Sequence, residues 1–133
     1  IRAFSKEEYE RINTDEKITT FFAADILRNN AKWQKCLDAL RAIEGPVHLT
    51  IDIDGLDGSI VPSTGTPVPG GLNFWQAVEI IEALFSAPNA KIISMDVNEI
   101  VPQKDTPLTQ FTAAMLATKG IVNHINKRKS NRW

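Results

Sequence analysis

The chain has one cysteine, two histidines and one tyrosine among 133 residues. A single cysteine cannot close an internal disulfide, which fits a reducing compartment and excludes a cystine-stapled scaffold. Cys36 reads instead as a small buried hydrophobe on a helix. No apolar run is long enough to cross a bilayer, and the N-terminus lacks the charged-then-apolar order of a signal peptide. With a net charge of −1 there is neither a basic field for nucleic acid nor an acidic solvating character. The basic stretch from Lys127 to Arg132 reads as a solvated terminus. Internal repeats and low-complexity segments are also missing. A cytoplasmic protein with no membrane or nucleic-acid partner is therefore expected. The sequence opens at Ile1 without methionine, which suggests a piece of something longer.

What is present suffices for a packed core: 43% of residues are hydrophobic, in a chain of one domain's length. Ile1 to Phe4, too short to judge alone, is compatible with the end of a strand. Ser5 with Glu8 forms a capping-box pattern that predicts a short helix to about Ile12. Ile18 to Ala23, rich in β-branched and aromatic residues, predicts a strand. From Ala24 to Ile43 the apolar spacing predicts an amphipathic helix with Trp33 on its packed side, and Asn29-Asn30 marks either a break or its true start. A strand follows Gly45-Pro46. A helix begins at Asn73 and runs to about Phe85, and a second strong strand covers Ala90 to Val97. Pro107 opens a last helix reaching about Asn126, with Gly120 as a weak point inside it. Strands alternating with helices indicate an α/β fold on a mostly parallel sheet.

The chemistry concentrates between Val47 and Leu72. The apolar run from Val47 ends in Asp52 and Asp54, two residues apart, so strand alternation predicts that they share a face. Two like charges at the end of an apolar strand repel, and a hard divalent cation between them relieves the conflict. The plainer alternative is a strand end whose acids bind loop amides or water. His48 belongs to the same face, but about 13 Å from Asp52 at strand rise, too far for direct co-ligation. It reads as a core or rim histidine. His124, near the end of the last helix, suits the helix dipole when charged. Downstream, Thr64 to Gly71 packs three glycines and two prolines into eight positions, a rigid loop held against a site.

Thr50-Ile-Asp-Ile-Asp-Gly-Leu-Asp57 followed by Ser63-Thr-Gly-Thr-Pro-Val-Pro-Gly-Gly-Leu72 resembles the ureohydrolase family of arginases, agmatinases and formiminoglutamases. The second strand ends in Asp96-Val-Asn-Glu99, similar to the family's D-x-x-E segment, with Ser94 where glycine is common. One departure is Gly58, where the family usually has proline. The family's two histidine-bearing metal motifs are missing here, so the 133 residues are expected to be the C-terminal part of a single ureohydrolase-like domain.

The resemblance implies a three-layer α/β/α sandwich with a mostly parallel sheet and a site beyond the carboxyl ends of the strands. It implies two Mn2+ ions per complete site, held in part by Asp52 and Asp54, and a shared hydroxide that attacks a guanidinium carbon to release urea and an amine. Glu99 would accept the guanidinium through charge-assisted hydrogen bonds, and Thr66 would line the substrate pocket. Asp52, Asp54 and Glu99 are thus the expected catalytic set. An agmatine-like substrate is favoured, because no long C-terminal extension follows the last helix; arginine, guanidinobutyrate and formiminoglutamate are the alternatives. A homo-oligomer, trimeric or hexameric, is also implied. Two carboxylates cannot complete two coordination spheres, so the isolated chain is expected to be inactive, and a non-catalytic assembly subunit is the competing reading.

Overall fold

The computed structural model describes residues 4–102 and 106–130. The elements run α1 (Lys6–Thr14), α2 (Ala23–Ile26), α3 (Asn30–Arg41), β1 (Gly45–Asp52), a 3-10 turn at Ile53–Gly55, α4 (Phe74–Ser86), β2 (Ala90–Asn98) and α5 (Leu108–Ser130). Strands β1 and β2 lie side by side in parallel, joined through α4, a βαβ unit. Residues 1–3, and with them most of the strand end considered at Ile1 to Phe4, lie outside the described residues.

Local chemistry explains most boundaries. Ser5 and Glu8 close the expected capping box on α1, and Asn73 and Gln76 close another on α4, each side chain accepting from the other's backbone N–H. The long helix expected over residues 24–43 is divided. The Asn29 side chain accepts from Ala31 and Lys32 N–H, so α3 starts at Asn30 and α2 is a separate turn.

The strand expected from Ile18 to Ala23 does not form: residues 18–22 are irregular, and α2 begins at Ala23. Its aromatics pack as a connector instead. Phe22 meets Phe4 at 5.5 Å between ring centroids, and Phe21 leans on the cluster of Ile26, Trp33, Cys36, Leu37 and Ala83. Tertiary packing here overrides β propensity. Trp33 is buried, and its indole N–H donates to Glu79 Oε2 at 3.0 Å. Cys36 is a buried free thiol on α3, its pKa raised by burial.

The main core lies between one face of the sheet and helices α4 and α5. Leu49, Ile51, Ile92 and Val97 from the strands meet Val78, Ile81 and Phe85 of α4 and Ala113 and Leu116 of α5. Helix α3 packs on α4. Burial of a side chain such as Leu116 contributes about 1.5–3 kcal/mol relative to exposure. Gly120 has a packing role: a Cβ there would stand 2.4 Å from Met95 Sδ, so the missing side chain lets α5 cross β2 closely.

The opposite face, bearing His48, Thr50, Asp52, Ser94, Asp96 and Asn98, is exposed among the described residues. Strand β2 reaches that arrangement through a register shift. Val47 pairs with Ile92 but His48 pairs with Ser94, so Ile93 is an extra residue. Ile93 and Ser94 are both exposed, after which Met95 and Val97 face the core and Asp96 and Asn98 face out.

Candidate functional site

The carboxyl ends of β1 and β2 lie next to each other, with Asp52 paired in register with Asn98. Asp52 is exposed at the last position of β1. Asp54 is not on the strand, because the chain turns into the 3-10 segment at Ile53 and buries that side chain completely. Strand alternation therefore places Asp52 alone, and the tight turn decides where Asp54 goes. Asp54 is half-buried, and its Oδ2 accepts the Thr66 hydroxyl at 2.6 Å.

Glu99 follows β2 directly. Its φ is +64°, the sole positive value outside glycine among the described residues. A bulky side chain in this left-handed region is uncommon and marks a position fixed by its surroundings. Glu99 Oε2 comes within 3.9 Å of where a Gly65 Cβ would stand. Gly65 precedes Thr66, so one loop touches Asp54 on one side and borders Glu99 on the other. That loop is tied down twice more: Val101 N–H donates to the Ser63 carbonyl at 2.9 Å, and Ser63 N–H donates to Thr109 Oγ1 of α5 at 2.9 Å.

The loop also closes on its own base. Asp57 accepts from Ser59 and Gly70, and this holds its carboxyl down from 3.8 to about 2. The Ser59 hydroxyl has the largest effect, then the Ser59 and Gly70 N–H groups; burial opposes them, and the Gly71 N–H contributes least. At Gly58 the N–H donates to the Val68 carbonyl at 3.0 Å, a bond that proline would remove. A Cβ at Gly58 would lie 3.0 Å from the Val68 nitrogen, so glycine at this departure from the family pattern permits a close backbone approach.

His48 stands apart from this group. On the exposed sheet face its Nδ1 is 2.7 Å from Ser94 Oγ and its Nε2 3.1 Å from Asp96 Oδ2, so among the described residues it is exposed and not part of the core. The Thr50 hydroxyl, then the Asn98 amide and His48, hold Asp96 below the usual carboxylate range. His124 is also placed differently from the expectation. Helix α5 continues to Ser130, and the His124 ring packs edge-on to Phe85 at 6.4 Å.

Sequence reasoning missed the His48–Asp96 pair, the Asp57 closure and the Glu99 backbone. Only the second carried a signal: Asp57-Gly-Ser59 fits an aspartate accepting from the N–H two residues on.

As a cation site the donor set is partial. Asp52 and Asp54 offer the hard oxygen ligands that divalent cations take, but the described residues contain no cluster of three or more His, Cys, Asp or Glu able to hold a metal ion. No helix among them is long and apolar enough to cross a membrane.

A parallel α/β unit with acids, a hydroxyl and a rigid loop at its strand ends belongs to the class that binds ligands beyond the carboxyl edge of the sheet. More narrowly, the chain belongs to the arginase family, whose profile matches residues 1–122. It is 46% identical over 80 residues to the N(1)-aminopropylagmatine ureohydrolase of Thermococcus kodakarensis, covering 60% of this chain and 27% of that protein. With the agmatinase of Chromobacterium violaceum it shares 43% over 86 residues, 64% of this chain and 26% of the relative. The agmatine ureohydrolase of Thermoplasma volcanium superimposes with a TM-score of 0.79 at 27% identity, covering 98% of this chain and 42% of that one. The chain thus spans well under half the length of these relatives. The fold is α/β and arginase-like, and the family is one of hydrolases.

Proposed function

We propose that this chain supplies part of the active site of a manganese-dependent ureohydrolase that cleaves a guanidino substrate, agmatine-like, to urea and an amine. The observation that carries this reading is the convergence of Asp54, Thr66 and Glu99 at the carboxyl ends of β1 and β2, beside Asp52. Similarity to an agmatinase and an aminopropylagmatine ureohydrolase supports the substrate class.

In this reading Asp52 and Asp54 hold the cations, and Thr66 orients the Asp54 carboxylate by donating to it. Glu99 accepts the planar N–H groups of the guanidinium and sets its carbon toward the aspartates, its direction fixed by the left-handed backbone. When bound, manganese makes a water acidic enough to act as nucleophile near neutral pH. The same reading includes a cytoplasmic homo-oligomer, trimeric or hexameric.

The test is urea release by the intact protein with manganese from agmatine, arginine, guanidinobutyrate and formiminoglutamate, together with the metal content of Asp52→Ala and Asp54→Ala. Outer-shell partners of a metal site already cost about 10–100-fold when removed, so each direct-ligand variant is expected to lose more than about 100-fold in turnover, and bound manganese with it. Full metal content and turnover in both variants would refute the assignment.

A further inference from the structure

Asp57 is the one acid of the central motif that sends its carboxylate away from the strand end. Its Oδ1 accepts the Ser59 N–H at 3.0 Å and the Ser59 hydroxyl at 2.6 Å, and its Oδ2 accepts the Gly70 N–H at 2.8 Å. Ser59 lies at the start of the loop and Gly70 at its end. One side chain therefore bridges eleven residues of chain with donors from both sides.

The backbone around it follows the same closure. Asp57 N–H donates to the Leu72 carbonyl at 2.9 Å, Leu72 N–H donates to the Gly55 carbonyl at 3.2 Å, and Leu56 and Leu72 form a parallel bridge. Between those ends the chain carries Gly65, bordering Glu99, and Thr66, bonded to Asp54. Residues 65–70 are otherwise exposed and hold no regular secondary structure, so this closure fixes their course together with the Thr66 hydroxyl on Asp54, the Gly58 N–H on the Val68 carbonyl and the ties at Ser63.

We propose that Asp57 is a positioning residue, not a cation ligand: by pinning Ser59 and Gly70 together it holds the Gly65-Thr66 segment in place between Asp54 and Glu99. The effect on turnover rests on the ureohydrolase reading; the effect on the loop does not. A loop already ordered before the substrate arrives spares binding the entropy of ordering it. Losing the closure should thus weaken substrate binding more than the chemical step, and leave the cations in place.

The experiment compares the intact parent protein with Asp57→Asn and Ser59→Ala. Asparagine keeps one acceptor but turns an N–H2 toward donors on the other arm. For Asp57→Asn, loss of a charge-assisted bond should raise amide hydrogen exchange at Gly58 and Gly70 by about tenfold, with a similar rise in KM, a smaller fall in kcat and unchanged manganese content. Ser59→Ala, which loses one donor and keeps the Gly70 arm, should give a smaller rise in exchange. Parent-like exchange at both glycines in Asp57→Asn overturns the proposal. So does loss of manganese with exchange unchanged, since that is the behaviour of a ligand. If Asp57→Asn does not fold, Ser59→Ala decides on the same amides, parent-like exchange again overturning the proposal. If the parent releases no urea from any guanidino compound, the functional reading fails while the exchange result still decides the closure.

Discussion

Gly71 passes so close to the start of its own loop that a side chain has nowhere to go. A Cβ there would stand 2.2 Å from the Leu56 carbonyl carbon and 2.5 Å from the Asp57 nitrogen, both backbone atoms. A methyl group cannot be absorbed by a rotamer change, so the loop base must open. Gly71→Ala is expected to destabilise the protein by about 1–3 kcal/mol, the range for overpacking, as measured by urea denaturation. It should also weaken the Leu56–Leu72 bridge on which the Thr66 loop rests. From the sequence, the glycine content of Thr64 to Gly71 said that the loop is constrained. Which glycine is indispensable depends on a contact fifteen residues away, and no local pattern carries that.

At the scale of elements, the best-read helix is α4, because its start is chemically marked. Asn73 Oδ1 accepts the Gln76 N–H and Gln76 Oε1 accepts the Asn73 N–H, both at 2.9 Å. Asn73→Ala removes one half of that exchange and should cost about 0.5–2 kcal/mol, measured as a lower urea midpoint with unchanged slope. Helices α1 and α4 and both strands were legible for the same reason: caps and apolar runs are local. The stretch from Ile18 to Ala23 was not, since its Phe21 and Phe22 are consumed by contacts with the Trp33 cluster and with Phe4. The site shows the same division. Asp52, Asp54, Thr66 and Glu99 could be named from motif resemblance, whereas the grouping of Asp54 with Thr66 needed the 3-10 turn and the closed loop. The left-handed Glu99 had no sequence mark at all.

Over the whole molecule, the irregularity in β2 sets which groups lie on which side of the sheet. Ile93 is 70% exposed, so Ile93→Ser, which preserves chain length, should shift stability by no more than about 0.5 kcal/mol. Deleting Ile93 is a different operation, because it removes the extra residue and leaves Val47–Ile92 and His48–Ser94 as consecutive pairs of a regular ladder. Ser94, Asp96 and Asn98 would still face out and Met95 and Val97 the core, with Asn98 still opposite Asp52. The deletion is therefore expected to retain a cooperative urea transition, as Ile93→Ser does. Strand β2 thus contains its own change of phase. The bulge absorbs one residue of length, so the ladder from Ser94 onward keeps Glu99 in step with the neighbouring strand's end.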